Sequence, residues 1–136
     1  MKTIVTLLLL LALVAPAAAA DPPAQTFAAP IDRVWAVAIA VLKSLGWDIA
    51  TAERSIGWIT TESRRLDGED YAVYAKGTRH KLVVRMKEAA SNRTTVNVER
   101  SVFKRERILW IDKDEPLTTT DQTVEKSVLD AIGKSL

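Results

Sequence analysis

The sequence predicts an α+β fold, an antiparallel β-sheet with two helices packed on one face. Three observations carry the prediction. Apolar residues recur at helical spacing from Ile31 to Leu45, and again from Val124 to Ile132. Between those stretches Leu82, Val84 and Met86 alternate with Lys81, Arg85 and Lys87 at a period of two. One apolar and one charged face mark a sheet covered on a single side. The order helix, strands, helix then puts both helices on that side.

Residues 1–20 read as an export leader. Lys2 supplies a positive start, Ile4 to Val14 a nearly unbroken apolar run, and Pro16 leads into Ala17 to Ala20, the small-residue pattern of a cleavage site. The run is shorter than the ~20 residues that span a bilayer. Cleavage is expected before Asp21, placing a soluble protein in the periplasm with no integral membrane anchor. Removing 20 of the 136 residues leaves 116, the length of one domain. The chain has no cysteine, so disulfides, thiolate metal sites, cysteine nucleophiles and a lipoprotein anchor are all excluded. Loss of Lys2 lowers the formal charge from +2 to +1, with 18 basic and 17 acidic side chains. Nucleic-acid binders carry a clear basic excess, so no nucleic-acid partner is expected.

Residues 21–29 read as a short tail in which Gln25 to Phe27 add a brief edge strand; the domain occupies 30–136. Pro30 suits a first helical turn. The first helix buries Ile31, Val34, Trp35, Ala38, Val41, Leu42 and Leu45, and Gly46 ends it in the left-handed conformation. Burial of Trp35, Leu42 and Leu45 is expected to contribute roughly 1.5–3 kcal/mol each. Strands follow at Trp47 to Ala52 and Ile56 to Ser63 around a turn at Glu53 to Ser55. Gly57 marks a bulge or a close approach of the helix. Arg64 to Gly77 reads as a loop whose Tyr71 to Tyr74 centre packs back on the domain. After the Leu82 strand and a hairpin loop at Glu88 to Arg93, Val96, Val98 and Val102 face inward. Pro116 and Thr118 to Thr120 break the chain before the last helix, whose stripe is Val124, Val128, Ala131 and Ile132.

Chemistry would have to begin with His80, the only histidine, and nothing at a recognisable spacing partners it as a general base requires. It reads as a strand histidine. The clusters Asp67 to Asp70 and Asp112 to Glu115 lack the ligand register of a calcium loop and read as solvated charge. No metal, cofactor or enzymatic activity is expected. Asn92-Arg93-Thr94 fits a glycosylation sequon on a surface loop. Arg100, Lys104, Arg105 and Arg107 fall on both faces of their strand among Val102, Phe103, Ile108, Leu109 and Trp110. They are a candidate surface for an acidic partner or lipid headgroups, or else cations guarding an exposed strand edge.

The stretch Val34-Trp35, then Val41 to Ile49 (VLKSLGWDI), then Gly57-Trp58-Ile59-Thr60-Thr61-Glu62 resembles the repeated domain of BamC, a lipoprotein accessory to the outer-membrane β-barrel assembly machine. Gly77 to Leu82 is similar to that family's Arg-aromatic strand, and the likeness covers about residues 25–102. It implies a helix-grip arrangement in which Ile59 and Thr61 point toward the helix. Period two then sends Trp58 to the opposite face, where it joins the candidate partner surface. The chain departs from the family in having one domain, no anchor cysteine, and Ser63 where an aromatic is expected. The resulting expectation is a periplasmic, non-enzymatic binding or accessory module with an envelope protein partner. A small-molecule or lipid carrier, binding between helix and sheet, is the alternative.

Overall fold

A computed structural model describes residues 21–136. The leader and its cleavage site, read from residues 1–20, lie outside the described residues. The fold is α+β, with two helices and a mostly antiparallel sheet.

The first helix, α1 (Ile31–Ser44), starts after Pro30, which sits one position outside it with extended backbone. It ends as the glycine predicts. Gly46 has φ +86°, its N–H donates to Lys43 O at 3.0 Å, and Trp47 N–H donates to Leu42 O at 2.9 Å. This pair of hydrogen bonds is a Schellman ending, which brings the residue after the glycine back onto the last helical turn. Trp47 is therefore no strand residue; it turns into the core and is 2% exposed.

Helix α1 follows β1 (Ala24–Phe27) and precedes β2 (Ile49–Glu53) and β3 (Trp58–Thr61). Two short strands, β4 (Arg64–Arg65) and β5 (Glu69–Asp70), occupy the segment read as a loop. Two long strands then form the backbone of the molecule, β6 (Tyr74–Ala90) and β7 (Arg93–Ile108), paired from end to end. Strand β8 (Ile111–Leu117) folds back along β7, and α2 (Thr123–Ser135) closes the chain. The main path of the sheet runs β1-β7-β6-β3-β2, with β8 on β7 and β4 and β5 on β6.

Register decides which residues meet the helices. Leu82 lies opposite Arg100, Val84 opposite Val98 and Ile59, and Met86 opposite Val96, so all seven share one face. The apolar six form a single core with Val34, Ala38, Val41 and Leu42 of α1 and Val128, Leu129 and Ile132 of α2. Both helices therefore cover the same side. Leu42, Ile59, Leu82, Val84, Val96, Val98 and Ile132 are fully buried there, each contributing roughly 1.5–3 kcal/mol.

Several expectations need correction. Trp35 is only partly buried at the margin of the core, and Leu45 is 41% exposed because the chain has already turned at its position. Gly57 does accommodate a close approach, but of strand β6: a Cβ there would come within 2.2 Å of Met86 O. Tyr71 and Tyr74 project outward rather than packing back. Val102 is half-buried, and Phe103 on the opposite face is the more buried of the two. Pro116 lies inside β8, an edge strand where its missing N–H costs no ladder bond.

Candidate functional site

Length alone forces part of the sheet out from under the helices. At about 3.3 Å per residue, the 17 residues of β6 span about 55 Å. The 14 residues of α1 span about 21 Å. Core contacts from the helices reach β6 at Leu82 to Met86 and β7 at Thr94 to Val98. Beyond them Tyr74 to Thr78, Lys104 to Ile108 and β8 form an arm.

The arm is held by cross-strand charge. Arg105 faces Asp114 and Arg107 faces Asp112 across the β7–β8 ladder. Arg105 Nε donates to Asp114 at 2.8 Å, and Arg107 Nε donates to Asp112 at 2.6 Å. Asp70, from β5, accepts from Arg107 at 2.8 Å and from Arg79 at 3.0 Å. The hydrogen bond from Arg105 holds the Asp114 carboxyl below the usual carboxylate range. Asp70 of one acidic cluster and Asp112 and Asp114 of the other thus serve as counter-charges to the arm's own arginines.

At its far end the arm loses charge altogether. Ile108 pairs with Ile111, leaving a two-residue turn of Leu109 and Trp110 with φ +51° and +65°. Such a turn requires positive φ at both central residues and ordinarily takes Asn-Gly. In this conformation a side chain with a Cβ costs about 1–2 kcal/mol. Here the turn holds two large apolar side chains and presents them outward: Trp110 is 71% exposed and Ile111 74%. A second turn, Tyr71 to Tyr74, is closed by hydrogen bonds between the two tyrosine backbones. It is tied alongside by Trp110 N–H donating to Val73 O at 3.3 Å. Two adjacent turns, YAVY and ILWI, make one uncharged apolar end.

The residues singled out by sequence are dispersed by the fold. Trp58 lies on the helix-free face opposite Arg85, 44% exposed. It borders a depression of about 590 Å³ with Lys87, Thr95 and Asn97. The Arg85 guanidinium stands 4.7 Å from its ring centroid. Arg105 and Arg107 share that face but are neutralised as described. Lys104 is exposed on the other side of the arm. Arg100 must be withdrawn from any partner surface. It points toward α2, where its Nε donates to Glu125 at 3.1 Å in an ion pair 7% exposed on each side.

Arg100 also meets His80, which is 3% exposed and not an open strand histidine. Arg64 Nε donates to His80 Nε2 at 3.3 Å, while Arg100 Nη1 lies 3.2 Å from Nδ1. The Trp47 ring packs 4.7 Å away, centroid to centroid. Burial first, then the two guanidinium charges, push the imidazole pKa down to about 4. His80 is therefore neutral at pH 7, sealed between two cations. That arrangement suits a structural polar core and not a proton shuttle with access to substrate.

Leu109 and Trp110, expected as strand residues among the cations, are instead the turn of a hairpin. Their signal was present: Arg-x-Arg and Asp-x-Asp stand in mirror order around Leu-Trp, the charge pattern of a hairpin. Compared with models of known protein families and with curated proteins, the chain matches none.

Proposed function

We propose that this protein is an exported, non-enzymatic accessory module of the cell envelope that docks through the apolar end of its arm. The single observation behind this reading is the Leu109-Trp110 turn. Two bulky apolar residues occupy backbone positions that disfavour them and project where the fold makes no use of them. Strain of this kind collects at functional positions, and exposed apolar ends mark interaction sites.

The leader-like residues 1–20 support export to the periplasm. The likeness of residues 25–102 to the BamC domain directs the reading toward outer-membrane biogenesis. The sealed environment of His80 supports a role without catalysis. The helix-free face, with Trp58 and the depression beside it, would remain free for an envelope protein partner while the arm is engaged. The carrier alternative gains less support, since the space between helices and sheet is filled by Leu42, Ile59, Leu82 and their neighbours.

The test uses the double variant Leu109→Asn/Trp110→Gly, which gives the turn the residues its backbone prefers. In gently lysed cells the wild-type chain should sediment with the envelope, and the variant should move to the soluble fraction with its fold intact. Equal distribution of the two chains would sink the docking role of the arm.

A further inference from the structure

We infer that the occupant of the apolar end is the interface of a phospholipid bilayer; this rests on the docking reading above and names its partner. Three features of the arm converge on lipid.

The first is size. A standard protein interface engages about 20–30 residues a side. The two turns offer eight; a depression of about 290 Å³ lies beside them between Tyr71, Tyr74 and Ile108, but Leu109, Trp110 and Ile111 stand outside its lining at the tip of the arm. A wedge of this form needs a soft medium more than a complementary pocket.

The second is composition by depth. Ile108, Leu109 and Ile111 supply aliphatic bulk, and Trp110, Tyr71 and Tyr74 surround it, all more than half exposed. Indole and phenol rings favour the boundary between acyl chains and headgroups, where one end is apolar and the other wet. Directly behind them stands the Asp70, Arg107 and Asp112 group, suited to the hydrated headgroup layer.

The third is charge. Arg105 and Arg107 are paired with aspartates, and Lys76 and Lys113, in no ion pair among the described residues, flank Glu106 across the ladder, so the tip carries little net charge to offer anionic lipid. The attraction is therefore apolar, and binding should ignore both headgroup charge and salt. This separates the arm from a polybasic attachment, whose affinity depends on both.

Flotation with vesicles provides the test. The purified protein should float with vesicles of phosphatidylcholine alone and equally with a phosphatidylcholine–phosphatidylglycerol mixture, and high salt should leave binding unchanged. Lipids brominated high on the acyl chain should quench tryptophan fluorescence in the wild type. Leu109→Asn/Trp110→Gly should reduce partition by about a hundredfold, as expected for withdrawing two large apolar side chains. Its circular dichroism and melting should show a fold at least as stable. Absence of flotation with both vesicle types overturns the inference. So does flotation that requires phosphatidylglycerol, vanishes in salt and persists in the variant. Envelope sedimentation that depends on Leu109 and Trp110 without vesicle binding would keep the docking reading and replace lipid by a protein groove. Loss of both would end both.

Discussion

Strand β6 crosses two environments within one ribbon. From Leu82 to Met86 its helix-facing residues lie under α1 and α2 and are almost wholly buried. From Tyr74 to Thr78 the same strand, paired to the same neighbour, has no helix above it. The covered half is stabilised by apolar burial; the uncovered half is tied by arginine–aspartate pairs and ends in apolar side chains facing out. Partly exposed ion pairs contribute little each, at most about 1 kcal/mol. The arm is therefore the softer half, and softness at the proposed docking end suits elements that must adapt.

Two tryptophans break or sharpen this contrast most directly. Trp47→Ala should cost about 3–5 kcal/mol in a denaturant melt, because it empties a site between the end of α1 and the sheet. Trp110→Ala should leave the midpoint within about 0.5 kcal/mol, the range of surface changes. Equal losses would mean that the arm belongs to the cooperative core. Glu125→Gln should approach the Trp47 effect, at about 3–5 kcal/mol, because it leaves the Arg100 charge buried without its counter-charge.

The same cluster makes the body sensitive to pH. His80 titrates near 4 in the folded protein and near its ordinary 6.5 when unfolded. Between those values the unfolded chain holds the extra proton, so stability falls as pH drops from about 6.5 toward 4 and is fully present above 6.5. The loss is at most about 1.4 kcal/mol per pH unit. A His80→Asn chain should show a flatter profile over that window in urea melts at stepped pH. Parallel profiles would show that the imidazole is not what titrates.

Periodicity made α1, α2 and the covered half of the ribbon legible in the sequence, because their burial is one-sided. Trp58 was placed on the helix-free face by alternation from Ile59, whose inward direction came from the BamC resemblance and not from periodicity. Periodicity misplaced Trp35 and Trp47. A helical wheel ranks Trp35 on the stripe without showing how wide the contact is, and it stops before the Schellman turn that returns Trp47 to the core. Strand β8 escaped because Asp112 to Glu115 carry no apolar alternation; charges opposite Arg105 and Arg107 hold it instead. Arg100 looked like surface because its partner Glu125 is 25 residues away, on another element.

A smaller effect of opposite sign is expected at the arm's turn. Replacing Leu109-Trp110 by Asn-Gly removes two strained conformations and should raise stability by about 1–2 kcal/mol. Calorimetry of the two chains would detect this as a higher melting temperature. A lower one would mean that Leu109 and Trp110 pack on the arm more than their exposure indicates.

The smallest effect should come from Trp58, and it tests whether the helix-free face is surface in energy as well as in position. Its residue is open to solvent over nearly half its area, and the Arg85 guanidinium stands 4.7 Å from the ring centroid. That guanidinium already binds Glu99 at 2.6 Å, so removing the indole leaves no cation stranded. An exposed cation–π contact contributes about 0.5–1 kcal/mol. Trp58→Ala should therefore lower stability by no more than about 1 kcal/mol in a urea melt and leave vesicle flotation at the wild-type level. If Trp58 instead meets a protein partner, crosslinking at this face should fall in the variant while the melt barely moves. A loss comparable with that of Trp47→Ala would make Trp58 part of the fold's support, and the helix-free face would then be no free surface at all.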